Sequence, residues 1–458
     1  GSGGGNGQEP ILGFGNDIAT VAPAVTAVSP PSGALGVPLN TKLITAAFNK
    51  AMNPATISNS SFTLACPGNT PVAGAVTYNP VGNVATLTLP AATSLPASSV
   101  CTATVTTAVK DTFGIALAAN FTWLFTTGPS LDSTAPTVTG TNIANGATGV
   151  AINTSVGATF SETMNAATVN TSSFTLKQGA TAIAGTVSYF GVSAVFTPNS
   201  PLALNTTYTA TIKGGAVGGV KDVAGNAMVR DYVWSWTTTG GLDPNAGRDT
   251  TPPTITGTVN ANGASGVAVN TKVGASFSEF MDPLKMTNAN FTLKNATTGA
   301  AVAGTVSYSG VSVAFAPLAN LAPNTRYTAT IKGAPTGVSD LAGNMLLSDY
   351  NWSWTTGVAP DTTAPTVTDT INANGATNVA FNTKVGATFS EGMDPLSITN
   401  ASFILTETSS GAVVEGGVGA SGVSAIFIPQ FNLLPSTNYT VTIKGGANGV
   451  KDLAGNPM

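Results

Sequence analysis

The sequence predicts an all-β protein built from four tandem antiparallel β-sandwiches, arranged as an elongated rod. Three observations carry this prediction. Landmarks recur at the interval of a whole domain: Phe48, Phe160, Phe277 and Phe389 are 112, 117 and 112 residues apart. Within each repeat the apolar residues alternate with small or polar ones, and Gly, Pro and Asn punctuate the runs. No stretch keeps a helical period beyond a single turn around Met164–Val169.

The first 22 residues lie outside the repeats. Residues 1–7 (GSGGGNG) form a Gly-rich tether, of the kind that follows a lipid-anchoring cysteine, so an anchor upstream of Gly1 is one expectation. Behind it, Ile11, Leu12, Phe14 and Ile18 make a short apolar segment with no sandwich of its own. Such a segment suits a donor strand.

The first repeat spans residues 23–128 and holds both cysteines, Cys66 and Cys101. The expectation is one disulfide within this domain, consistent with an oxidising compartment. The second repeat spans 129–240, the third 241–357 and the fourth 358–458. In the second, Val156–Ser161 and Thr207–Lys213 alternate cleanly, with Tyr208, Ala210 and Ile212 on one face. The segments Asp132–Thr137, Asp249–Thr254 and Asp361–Thr366 each carry proline at a repeat boundary, and short Pro-containing junctions stiffen a chain of domains.

Three repeats close on an aromatic strand: Phe121/Trp123/Phe125, Tyr232/Trp234/Trp236 and Tyr350/Trp352/Trp354. The i, i+2, i+4 spacing fits core packing better than a sugar-stacking surface. The fourth repeat reaches Met458 before its aromatic strand begins, so its sandwich is expected to lack the closing strand. Its acceptor groove would be lined by Phe389, Phe403, Phe427, Tyr439 and Ile443.

Composition narrows the function. Only 8% of residues are charged and the net charge is −4 without a basic cluster, which argues against nucleic acid. Histidine is absent, which removes imidazole bases and histidine metal ligands. No enzymatic activity is expected. No run of 18 apolar residues predicts a membrane span.

Two polar motifs recur. Asp222–Asn226 returns as Asp340–Asn344 and Asp452–Asn456, and reads as a tight turn with a capping aspartate. Glu279 stands near Asp282, and Glu391 near Asp394, but the second repeat offers Glu162 with Asn165 and the first Lys50 with Asn53. A lysine in that series argues for polar residues at a strand end and turn. No cofactor is expected; the linker aspartates Asp132, Asp249 and Asp361 are weak Ca2+ candidates, with few ligands against the six to eight oxygens the ion prefers.

The order Ala135-Pro136-Thr137-Val138, Asn145–Val150, Phe160-Ser161-Glu162-Thr163-Met164, Tyr208–Lys213 and Asp222–Asn226 resembles bacterial Ig-like domains of surface-layer proteins and large adhesins. The resemblance covers residues 23–458. It implies Ig-like sandwiches in a cell-surface or extracellular protein, with the cell envelope or a host surface as partner. The functional expectation is a structural subunit that assembles head-to-tail with itself, the N-terminal strand entering the open fourth domain of the next copy. The alternative is a monomeric adhesin or surface-layer stalk, truncated at its C-terminus.

Overall fold

The computed structural model describes residues 20–458. Each repeat is a sandwich of two antiparallel sheets. The second shows the plan. One sheet runs Gly185–Phe190, Ser193–Pro198, Val156–Phe160, Val138–Thr141. The other runs Thr181–Ala182, Phe174–Gln178, Thr207–Ile212, Tyr232–Thr237. Period-2 alternation sends Val156, Ala158 and Phe160 from the first sheet, and Phe174, Leu176, Tyr208, Ala210, Ile212, Trp234 and Trp236 from the second, into one shared core. The predicted single turn is a 3₁₀ turn, Ala166–Thr168, capped by Asn165.

The aromatic strand closes the second sheet. In register, Ala210 faces Trp234 and Tyr208 faces Trp236. The end of that strand also forms a parallel bridge, Val150 to Thr238, back to the start of the domain. The same closure occurs in the first domain through Phe121–Thr126 and in the third through Tyr350–Thr355. Each indole is fully buried.

A tyrosine staple recurs beside this strand. The hydroxyl of Tyr208 accepts from the Ala203 amide at 2.9 Å, Tyr327 from Ala322 at 2.9 Å, and Tyr439 from Leu434 at 2.8 Å, a corner of the kind found in Ig-like sandwiches. In the first domain Cys101 takes the tyrosine's place, since Val105 pairs with Phe62 as Ile212 pairs with Phe174. Cys101 is bonded to Cys66, as expected.

Alternate sandwiches touch one another. The first and third touch through strands Val25–Ser29 and Gly304–Ser309, and the second and fourth through Val138–Thr141 and Gly416–Ser421. Alternate domains therefore lie side by side. Glycine permits the close approach: a Cβ on Gly417 would stand 2.8 Å from the Thr139 carbonyl oxygen. The Asn400 amide donates across the same contact to the Val138 carbonyl at 3.2 Å, and Arg230 pairs with Glu415. Among the described residues no helix is long and apolar enough to cross a membrane.

Candidate functional site

Two features stand out: a carboxylate cluster repeated at every junction, and an open edge on the fourth domain.

At the first junction, Asn40 of one domain grips the linker before the next. Its amide donates to the Asp132 carbonyl at 2.7 Å, and its carbonyl accepts the Asp132 amide at 2.6 Å. The Lys42 amide reaches across to the Val223 carbonyl at 3.1 Å. From the far side, Asn226 of the Asp-x-Ala-Gly-Asn turn donates to the Asp132 carbonyl at 3.2 Å. The same bonds join Asn153, Asp249 and Asn344, and then Asn270, Asp361 and Asn456. Three junctions thus share one geometry.

That grip fixes a triad. Asp132, Glu162 and Asp222 each present a carboxylate oxygen within 4.8 Å of the others, as do Asp249, Glu279 and Asp340, and Asp361, Glu391 and Asp452. Three parts of the sequence meet here: the linker, the end of the Phe-Ser-Glu strand and the Asp-x-Ala-Gly-Asn turn. The turn works as expected. Asp222 Oδ1 accepts from the Ala224 and Asn226 amides at 2.9 and 2.8 Å, and Gly225 takes a positive φ of 96°. What the turn reading missed is that the rest of this buried carboxylate faces the junction. The Glu279/Asp282 and Glu391/Asp394 pairs separate instead: Asp282 and Asp394 cap 3₁₀ turns, where Asn53 and Asn165 serve equally in the other repeats.

The electrostatics follow. Burial, then the neighbouring Asp222 and Asp132 carboxylates, push Glu162 up to about 9. Burial and the corresponding aspartates raise Glu279 and Glu391 to about 7. Burial also raises Asp222. Among the described residues no lysine or arginine pairs with any of these nine carboxylates.

The first domain departs from this pattern in an informative way. Lys50 stands where the others have glutamate. Its ammonium lies 2.6 Å from Asp111 Oδ2 and donates to the Val21 carbonyl at 2.8 Å. Asp111 Oδ1 still accepts two turn amides, from Phe113 and Ile115, but no asparagine follows to bond Oδ2. Burial would raise Asp111, yet the Lys50 hydrogen bond and the two amides outweigh it and hold the carboxyl below its usual value.

The second feature is the fourth domain's edge. Its second sheet holds only Phe403–Glu407 and Tyr439–Ile443, and among the described residues nothing pairs with the outer side of Tyr439–Ile443. Phe389, Phe403 and Phe427 are buried and form the floor, while Tyr439 and Ile443 are half-buried at the open side. Sequence reading missed Val441, 42% exposed where Ala210 is 0%, and Phe381, 54% exposed where Ile152 is 3%. Phe403, Leu405 and Phe427 also line a groove of ≈ 500 Å³, shared with Met228 and Tyr232 of the second domain. The expected donor residues Ile11, Leu12, Phe14 and Ile18 lie outside the described residues.

Comparison with known proteins adds the following. No curated protein matches the chain. Among solved structures, the surface layer protein SbsC, domains 1–6, is similar at 13% identity and TM-score 0.21, covering 94% of this chain and 68% of that one. Sidekick-1 immunoglobulin domains 1–5 align at 9% identity and TM-score 0.18, covering 75% of this chain; the aligned part spans 60% of that chain's length. Titin domains A168–A170 align at 10% identity and TM-score 0.17, covering 69% and 96%. The model of the bacterial Ig-like domain matches residues 19–127, 132–238, 249–356 and 361–458. Matched four times over nearly its whole length, the chain belongs to the bacterial Ig-like domain family.

Proposed function

We propose that this chain is a non-catalytic structural module of the bacterial surface or extracellular space, assembling with copies of itself by strand donation into its fourth domain. The N-terminal segment around Leu12, Phe14 and Ile18 of one copy enters the edge beside Tyr439–Ile443 of the next. The family, the disulfide and the lack of histidine favour an exported structural role.

The observation that carries the reading is Val441. In the three closed domains the residue opposite the first buried tryptophan is alanine: Ala103, Ala210 and Ala329 face Trp123, Trp234 and Trp352. Val441 fills that inward position in the fourth. The two extra methyl groups take space an indole would need, so the edge favours a strand with a smaller residue there. Leucine, phenylalanine or isoleucine from residues 11–18 meets that condition. Eight extended residues reach about 26 Å, enough to cover a strand of five or six. An exposed edge over an apolar floor is a template for added strands, and donor and acceptor at opposite ends of the chain make contacts that propagate without closing.

Electron microscopy and sizing chromatography of the full chain, against a variant lacking residues 8–20, test this. Polymers that disappear with the deletion, and that a peptide of residues 8–20 blocks, are expected. Polymers that persist without residues 8–20, or a full chain that stays monomeric at high concentration, would overturn strand donation and leave a spacer stalk.

A further inference from the structure

We infer that the open slot of the fourth domain reads a side-chain hydroxyl at the end of the strand it takes up, and that Thr20 of a second copy supplies it. This register rests on strand donation as the mode of assembly.

The three closed domains each hold their last strand along both edges and at its end. In the second, one edge pairs with Thr207–Ile212. The other edge meets the loop after the domain's first strand. There Asn145 Oδ1 accepts the Ser235 amide at 3.0 Å, while the Gly146 and Val150 amides donate to the Ser235 and Thr237 carbonyls at 2.7 and 3.2 Å. Thr238 ends the strand. Its hydroxyl donates to the Ala203 carbonyl at 2.6 Å and accepts the Thr206 amide at 3.0 Å. Thr356 makes the same two bonds with Ala322 and Thr325, and Thr127 with Pro96 and Ser99. All three threonines are buried. One hydroxyl serves as donor and acceptor at once, and valine, of nearly the same size, has neither capacity.

The fourth domain keeps the surroundings of that strand. Ser436 takes a φ of 51°, as Asn205 does. The Thr437 hydroxyl donates to the Pro435 carbonyl at 2.9 Å, as Thr206 does to Leu204 at 2.8 Å. Tyr439 accepts the Leu434 amide as Tyr208 accepts that of Ala203. The Leu434 carbonyl and Thr437 amide therefore stand where Ala203 and Thr206 meet Thr238. On the opposite edge, Gly375 and Asn378 have φ of 77° and 56°, against 79° and 68° at Gly146 and Gly149. Both edges and the end are preformed, and among the described residues no strand lies between them.

Spacing selects the occupant. Tyr232, Trp234 and Trp236 stand six, four and two positions before Thr238 and share its face. Within residues 1–20 only Ser2 and Thr20 carry a hydroxyl. Counting back from Thr20 brings Ile18 to the Trp236 position and Phe14 to the Tyr232 position. Asn16 then comes to the Trp234 position, beside Val441. This register narrows the choice opposite Val441 to Asn16, smaller still than leucine or isoleucine.

Amidated peptides of residues 8–22, titrated into the chain lacking residues 8–20 and followed by anisotropy of an N-terminal fluorophore, test the inference. The change is made in the peptide, so the fold of the chain is untouched. Thr20→Val should bind about tenfold more weakly or worse, because it leaves the Leu434 carbonyl and Thr437 amide covered but unpaired. Thr20→Ser should bind nearly as well as the wild-type peptide. Equal binding of the valine and wild-type peptides would overturn the hydroxyl reading and leave strand donation standing. If the wild-type peptide does not bind, strand donation and the Thr20 assignment fall together. The preference of the slot itself is then read with a peptide of residues 230–240 on the Val441→Ala chain. Weaker binding of its Thr238→Val form upholds the hydroxyl site, and equal binding, or none, overturns it.

Discussion

Ala210 stands directly opposite Trp234 in the antiparallel pair that closes the second domain, and the two side chains share one core. The indole fits because its partner is small. Phe174 packs on the same ring at 6.0 Å, and Trp236 lies 6.4 Å away.

This relationship predicts opposite outcomes at equivalent positions. Ala210→Val overpacks a filled core and should destabilise the second domain by about 1–3 kcal/mol. Trp234→Ala should cost about 3–5 kcal/mol there. Val441→Ala should leave the fourth domain's own stability nearly unchanged, since that side chain is partly in water, but should weaken self-assembly. Denaturant unfolding followed by tryptophan fluorescence reads the first two, and the critical concentration for polymer formation reads the third. A fourth domain destabilised as strongly by Val441→Ala as the second is by Ala210→Val would show that its edge is already packed.

The first domain replaces the tyrosine staple with the Cys66–Cys101 bond, closing a loop of 35 residues. Reduction, or Cys66→Ala with Cys101→Ala, should cost about 3–4 kcal/mol through the freed unfolded chain. The variant Cys66→Gln with Cys101→Tyr copies the residues of the second domain and should recover part of that loss, because a tyrosine there can accept a backbone amide as Tyr208 does. Equal stability of the alanine and tyrosine variants in thermal melts would refute the equivalence.

Strand alternation, the long period and the aromatic closures made the four sandwiches legible in the sequence, because period-2 burial is local and repeats four times. The paired cysteines were legible for the same reason: nothing else in the chain competes for them. The junction triads were not, since Asp132, Glu162 and Asp222 are separated by 30 and 60 residues and converge only through sheet pairing and the Asn40 grip. Near neighbours in sequence misdirected attention, because Asp282 sits three residues from Glu279 yet turns away to cap a 3₁₀ turn. Lys50 breaks the glutamate series in the sequence, and only the structure places its ammonium on Asp111. The contacts between alternate domains were not legible either, because proline stiffness fixes how firmly a junction is held, not the angle at which it is held.

Acid should separate the first domain from the other three. Burial would raise Asp111, but Lys50 and two backbone amides outweigh it and hold the carboxyl below its usual value. A carboxyl depressed in the folded state stabilises above its unfolded pKa and loses that stabilisation as pH falls through the folded value. The first domain should therefore weaken below about pH 4, and Asp111→Asn should flatten that dependence. The junction glutamates run the other way. Glu279 and Glu391 are raised to about 7 and Glu162 to about 9, so the folded state binds more protons than the unfolded chain between about pH 4.5 and those values. Their contribution is complete below about pH 4.5 and is lost as pH rises to 7 and then 9. The groups facing Glu162 are Asp132, Asp222 and the Tyr189 hydroxyl, and none is cationic; among the described residues no lysine or arginine pairs with it. Melting curves in a metal-free buffer from pH 5 to 9 should show domains two to four losing stability as pH rises. The triple variant Glu162→Gln, Glu279→Gln and Glu391→Gln should show little of this slope. A wild-type chain whose later domains gain stability over that range would contradict the carboxylate crowding at the junctions.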